Sequence, residues 1–257
     1  SSGREAERRE TAATIATIKA NWRADYAVHF DDESEPINGY RMLRDLWSLL
    51  DPDSTMITHE SGASRDIQSV FYQSTVPRSY LGWGQSSQLG FSLGLAMGAK
   101  IANPEKLVVN VMGDGSVGMT GMDLETAVRE QAPILTVIKH DSIFSGYDRG
   151  IPEAVKRYQT STQTGDYAGV AKALGCHAEK VTGPGELRPA FDRAIRATIR
   201  VGIGLYIRFS VGCGIRNGFD VFGININIKT VSSLFAFVHG FFGISFYFSC
   251  GLFSLCF

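Results

Sequence analysis

Asp114 and Asp141 are the residues of this chain whose type and setting best fit chemistry. Asp114 sits in Gly113-Asp114-Gly115-Ser116, directly after the apolar run Leu107 to Met112. Asp141 follows 27 positions later, just past a second apolar run, Ile134 to Ile138. A carboxylate at a strand end offers a hard oxygen ligand, and flanking glycines leave backbone amides bare. Two such strand ends side by side can hold a magnesium ion and a diphosphate.

The intervening segment decides whether the two ends meet. Thr120 to Glu130 has one apolar face, Leu124, Ala127 and Val128. Thr120 with Asp123 three residues on fits a loose capping box. Pro133 breaks the chain before the next strand. Strand, helix and strand make a βαβ unit, so the two strands should be parallel with a right-handed crossover. As neighbours, they would bring Asp114 and Asp141 together at their carboxyl ends.

Around this unit, helical and strand patterns alternate from Tyr40 to Ile199. Leu43, Leu46, Trp47 and Leu50 mark a helix that Asp51-Pro52 stops. Thr55 to Thr58 is a short strand, and His59 to Arg65 a polar turn. Leu89 to Ile101 is rich in glycine and alanine, which suits close approach to a cofactor or another helix rather than isolated helix stability. Asp166 to Leu174, His177 to Val181 and Glu186 to Ile199 read as helix, strand and helix. The pattern predicts an α/β fold, a three-layer sandwich with a mainly parallel sheet.

Bulk properties exclude other classes. The chain has 257 residues and a formal net charge of −1, with no basic excess for nucleic acid. Its four cysteines have neither CxxC nor zinc-finger spacing and read as reduced and incidental. The charged first ten residues lack an apolar core, so no secretory signal is expected. Near residue 200 the composition breaks. Only Arg208, Arg216, Asp220 and Lys229 carry charge beyond it, and eleven of the 16 phenylalanines fall there. The chain therefore divides into an arm and linker (1–35), a compact domain (36–200) and an atypical hydrophobic tail (201–257). Residues 231–257 are long enough to span a bilayer. The tail reads as sequence foreign to the domain, ahead of a membrane anchor or a buried tail, since no positive cluster flanks it.

Two separated segments carry a resemblance to a known family. GDGSVGMTGMDLETAVRE followed by PILTVI, and upstream QLGFSLGLAMGAKIANPEKLVVNVMGDG, resemble thiamine-diphosphate enzymes, most closely the acetolactate synthase large-subunit group. The likeness covers about residues 36–199, the C-terminal diphosphate-binding domain. It implies thiamine diphosphate and magnesium as cofactors. Asp114, Asp141 and the carbonyl of Ile143 would be the metal ligands. Gly113, Gly115 and Ser116 would receive the diphosphate, with Gly62 and Ser64 meeting it from the upstream turn. Leu89 would prop the cofactor into its bent shape, and Ser87 and Gln88 would lie along the aminopyrimidine. Ser142 to Pro152 resembles the family's mobile segment over the cofactor.

The implied activity is acetolactate-synthase-like carboligation with decarboxylation of a 2-oxo acid. A 2-oxo acid decarboxylase subunit is the alternative. In another class, the chain is an inactive truncated fragment that only binds a partner subunit. No catalytic side chain is assigned. The family's Asn-Asn pair is His140-Asp141 here, which adds a negative charge that a protonated His140 would offset. The pyrimidine-binding domain, with its activating glutamate, is not found in residues 1–35. A partner carrying that domain, on another chain or in a missing N-terminal part, is expected. So are a homo- or hetero-oligomer, inactivity alone, and a cytoplasmic location with membrane association only through residues 231–257.

Overall fold

The structure is a computed structural model and describes residues 2–82, 88–144, 146–201 and 205–210. All of these fall in one compact unit, Ser1–Gly214; a second unit, Ile215–Phe257, and with it the expected membrane segment 231–257, lies outside the described residues. Among the described residues no helix is long and apolar enough to cross a membrane.

Six strands form one sheet: β1 (Thr55–His59), β2 (Tyr80–Leu81), β3 (Leu107–Gly113), β4 (Leu135–His140), β5 (His177–Val181) and β6 (Leu205–Ser210). Their order is β2-β1-β3-β4-β6-β5, and every neighbouring pair is parallel. The helices are α1 (Ser2–Phe30), α2 (Gly39–Trp47), α3 (Ala63–Phe71), α4 (Phe91–Ala102), α5 (Asp114–Thr120), α6 (Leu124–Arg129), α7 (Tyr147–Gly150), α8 (Pro152–Tyr158), α9 (Tyr167–Ala173) and α10 (Leu187–Val201).

A parallel sheet must be covered on both faces, and its inner strands read as continuous apolar runs. β1, β3 and β4 are buried along almost their whole length. Ile57, Val109, Val111, Leu135 and Val137 point one way, into a core shared with Leu43 and Leu46 of α2, Ile67 of α3 and Phe191 of α10. Met56, Val108, Met112 and Ile138 point the other way, against Leu93 and Ala96 of α4, Leu124 of α6 and Ala171 of α9. The register agrees with this alternation, pairing Val109 with Leu135 and Val111 with Val137. The three-layer α/β sandwich is thus the observed architecture.

Four details differ from the sequence reading. The Gly-Asp-Gly turn is the first turn of α5, a helix that begins at Asp114 itself. The polar stretch after β1 gives way at Ala63 to α3, whose Ile67 and Phe71 pack onto the sheet and α1. Thr120 makes no capping bond; its hydroxyl donates to the Gly90 carbonyl at 3.0 Å, which ties α5 to the start of α4. Strand β6 lies beyond residue 200 yet sits inside the sheet, between β4 and β5. The composition break at Arg200 marks the end of α10, not the edge of the sheet.

The N-terminal arm is a helix docked by aromatic packing. Trp22, Tyr26 and Phe30 surround Phe71 of α3, with ring centroids 5.3, 4.9 and 5.1 Å away. The acidic linker that follows is fastened to α2: Asp31 pairs with Arg44 at 2.9 Å, and Glu33 with Arg41.

Cys176, just before β5, is buried among the α9 contacts, and burial pushes its thiol up to about 11. A thiol needs the thiolate form and access to react. In native protein at pH 8, iodoacetamide should leave Cys176 unmodified, whereas unfolded protein should be alkylated there, as read by peptide mass mapping. Native labelling at the unfolded rate would contradict this placement.

Candidate functional site

The chain runs from β1 outward to β2 and then returns to start β3 on the other side of β1. That reversal makes the carboxyl ends of β1 and β3 a topological switch point, the place where open α/β sheets take ligands. The segments at this edge follow β1 (60–64), β3 (113–116) and β4 (140–143), with Leu89 and Gly90 leading into α4.

Asp114 stands at the start of α5, with its side chain 4% exposed. Its Oδ1 accepts from the Gly115 amide at 2.9 Å, and its Oδ2 accepts from the Ser142 amide at 2.8 Å. The second bond joins the ends of β3 and β4. His140 Nε2 lies 3.5 Å from the same Oδ2. Burial pushes the Asp114 carboxyl up to about 6, and repulsion from Asp141 adds to this. The Ser142 and Gly115 amides and the Lys139 ammonium act in the opposite direction. Asp141 accepts from the Ile143 amide at 3.4 Å and forms an ion pair with Lys139. The two aspartates expected to converge do so. The cation beside Asp141 is Lys139; the His140 ring instead faces Asp114, Ser142 and Tyr167.

The other candidates fall around this pair. Gly113 is the N-cap of α5. A Cβ on Gly115 would come within 2.7 Å of the Phe144 ring and 3.0 Å of Gln163 Nε2, so the loops after β3 and β4 touch at a bare backbone. Ser116 is buried, and its hydroxyl has no hydrogen-bond partner among the described residues; nor has Gln163 Nε2. Ile143 bridges to Thr162, which seats the post-β4 segment against residues 161–163. Gly62 is the left-handed N-cap of α3, with φ +72° and open space where a Cβ would stand. Ser64 is buried with its hydroxyl on the Ser61 carbonyl at 3.3 Å. Leu89 is half-buried and Gln88 exposed. Ser87 lies outside the described residues. The segment 142–152 carries α7 and the start of α8. His59 is packed on Tyr80, centroids 5.0 Å apart, and Glu125 is an exposed partner of Arg129.

Three residues escaped the sequence reading. Glu60 is fully buried and accepts from the Gly90 amide at 3.0 Å and the Ser92 amide at 2.8 Å. One carboxylate thus joins the end of β1 to the first turn of α4. Gly90 itself has φ +92°, and a Cβ there would lie 2.6 Å from Thr120 Cγ2, so only glycine fits. Lys139 falls just past the apolar run that ends at Ile138, and Gln163 lies in a stretch to which the sequence assigns no element. No spacing signal marks either, because each acts through a partner distant in sequence or on a face that only the fold defines.

The residues present fit a hard cation with a diphosphate. Asp114 and Asp141 supply hard oxygens, which magnesium accepts while leaving positions for phosphate oxygens and water. The unpartnered Ser116 hydroxyl and Gln163 amide beside them suit an anionic oxygen ligand, since buried donors are normally satisfied. Among the described residues, no group of three or more His, Cys, Asp or Glu forms a metal cage on its own. A site of this kind is completed by its ligand.

Residues 60–202, over half of the chain, match the family model described as thiamine pyrophosphate enzyme, C-terminal TPP binding domain. The chain belongs to the thiamine pyrophosphate enzyme family. It is 32% identical over 183 residues to the acetolactate synthase large subunit IlvG of Mycobacterium tuberculosis, covering 70% of this chain and 33% of that protein. It is 29% identical over 185 residues to the acetolactate synthase isozyme 3 large subunit of Escherichia coli (68% and 31%). The 2-hydroxyacyl-CoA lyase 1 of Mus musculus is 28% identical over 199 residues (71% and 34%). The chain therefore spans about a third of the length of the curated relatives it matches. In fold it is similar to the benzoylformate decarboxylase of Polynucleobacter necessarius, with a TM-score of 0.60 at 19% identity over 71% of this chain and 34% of that one. Thiamine diphosphate is the cofactor of the family domain to which this sheet edge belongs.

Proposed function

We propose that this chain is the thiamine-diphosphate- and magnesium-binding domain of an enzyme acting on 2-oxo acids, with acetolactate-synthase-like carboligation and decarboxylation. The observation that carries this reading is the meeting of Asp114 and Asp141 at adjacent parallel strand ends, locked by the Ser142 amide on Asp114. The relatives named acetolactate synthase support the choice of reaction.

In this reading Asp114 and Asp141 hold the metal through their carboxylates, and Ile143 through its carbonyl. Gly113, Gly115, Ser116 and Gln163 receive the diphosphate, with Gly62 and Ser64 facing it from the end of β1. Leu89 supports the cofactor's middle, and Ser87 and Gln88 its pyrimidine ring. Bound thiamine diphosphate supplies the carbanion and the electron sink for decarboxylation. The protein's part is to fix one end of the cofactor rigidly, and Glu60 does so by holding Gly90 against the sheet. The partner proposed for this domain is a pyrimidine-binding domain, in the same protein or in another chain, within an oligomer.

A ligand that binds only the folded state raises stability by about 2.7 kcal/mol at a hundredfold excess over Kd. Millimolar thiamine diphosphate with magnesium should therefore raise the melting temperature by roughly 5 to 10 °C. A chelator should reverse the shift. No shift at millimolar cofactor and metal would overturn the reading.

A further inference from the structure

The pair of strand ends carries one buried cation in contact with Asp141, and nothing so far requires it. Lys139 lies in β4, where its backbone pairs in register with Gly113 and Phe209 whatever its side chain. Its side chain is 9% exposed, that of Asp141 5%, and Lys139 Nζ is on Asp141 Oδ2. Lysine is almost never buried unless paired. A buried ion pair is also weak evidence for stability, because an apolar pair of similar volume often serves the fold as well. The position therefore calls for a reason beyond the fold.

Charge at the site supplies one. Asp114 and Asp141 repel each other, and Lys139 attracts both. Without the ammonium, two buried carboxylates would face any anionic ligand brought to this edge. With it, the charge of Asp141 is balanced, and the two carboxylates together present one net negative charge to a cation. His140 Nε2, 3.5 Å from Asp114 Oδ2, faces the other carboxylate and leaves Asp141 to Lys139.

We propose that Lys139 is the fixed countercharge of this strand end, a positioning residue that neutralises Asp141 so that a diphosphate ester can be received beside Asp114. The ligand class rests on the cofactor reading above; the charge pairing does not.

The test is a double-mutant cycle of Lys139→Met, Asp141→Asn and the double variant. Asparagine keeps an oxygen at position 141 and removes the charge. Two readouts are followed on the full chain: the melting temperature without ligand, and the affinity for thiamine diphosphate and for inorganic pyrophosphate, each with magnesium, by calorimetry. Lys139→Met alone should lower the melting temperature by about 5 °C or more, because it strands a buried charge. It should also weaken both ligands by about tenfold or more through uncompensated repulsion. Adding Asp141→Asn should restore both readouts to within about threefold in affinity and to within about 2 °C, since the stranded charge is then gone. Lys139→Met that binds as tightly as the parent chain, or a double variant no better than Lys139→Met, overturns the proposal. If the parent chain binds pyrophosphate but not thiamine diphosphate, the cofactor reading falls and the affinity cycle is judged on pyrophosphate. If it binds neither, the cycle of melting temperatures decides: rescue by Asp141→Asn upholds the countercharge, and its absence refutes it.

Discussion

Asp114→Asn is expected to abolish the stabilisation by thiamine diphosphate and magnesium, with affinity falling by about a hundredfold or more, since loss of a supporting group around a metal already costs 10- to 100-fold. The same variant should reveal the tension stored at this residue. In the folded protein burial holds the Asp114 carboxyl at about 6, against an ordinary value of 3.8. At about 1.4 kcal/mol for each tenfold change, that displacement is worth roughly 3 kcal/mol. Between about pH 4 and 6 the folded state keeps a proton that the unfolded state has lost, so the contribution of Asp114 to stability falls as pH rises through this window. Below pH 4 both states are protonated and the penalty vanishes. Urea titrations of metal-free parent and Asp114→Asn protein at several pH values check this. The stability of the parent relative to the variant should drop by roughly 2 to 3 kcal/mol between pH 4 and 7. A pH-independent difference would show that the carboxyl is not held up by its surroundings. A full cofactor shift in Asp114→Asn would remove it from the metal site. The physical sense is that a cation bound at this position would release the penalty, so the surroundings of Asp114 favour a metal.

The second large effect belongs to Glu60. Its carboxylate satisfies two buried amides, Gly90 and Ser92, at the first turn of α4, where a negative charge also meets the helix dipole favourably. Glu60→Ala leaves both donors without a partner in a site closed to water. Each unsatisfied buried group costs about 1 to 3 kcal/mol, so a loss of roughly 3 to 5 kcal/mol is expected in urea denaturation. Glu60→Gln keeps one accepting oxygen and turns an NH2 toward the other amide, so it should lose an intermediate amount. A loss below about 1 kcal/mol for Glu60→Ala would mean that water replaces the carboxylate. Because Glu60 fixes Gly90, and Gly90 follows Leu89, the same change should weaken cofactor binding even in protein that remains folded.

Much of this architecture is legible from the sequence. The apolar runs of β3 and β4 stand out because a parallel strand buried on both faces has little polar alternation to blur it. The βαβ unit from Leu107 to His140 follows from the helical face Leu124, Ala127 and Val128 between two such runs. Its parallel, adjacent strands are then fixed by connection rules. Asp114 and Asp141 are recognisable because their position is local, each just past an apolar strand and Asp114 also between two glycines. Helix α3 is less visible: its polar start hides the two residues, Ile67 and Phe71, that bury it. Strand β6 is hidden because it lies past the composition break near residue 200, in a stretch that reads as foreign to the domain.

The sequence by itself determined the fold class, the pair of aspartates and the family, because these rest on periodicity and on short motifs whose chemistry is local. The tertiary structure alone decided the strand order β2-β1-β3-β4-β6-β5, and with it the switch point between β1 and β3. It alone showed that Glu60 caps a helix 30 residues away, and that Lys139, not His140, stands on Asp141. These are matters of charge and hydrogen bonding between groups that the chain separates and only the folded sheet brings within reach.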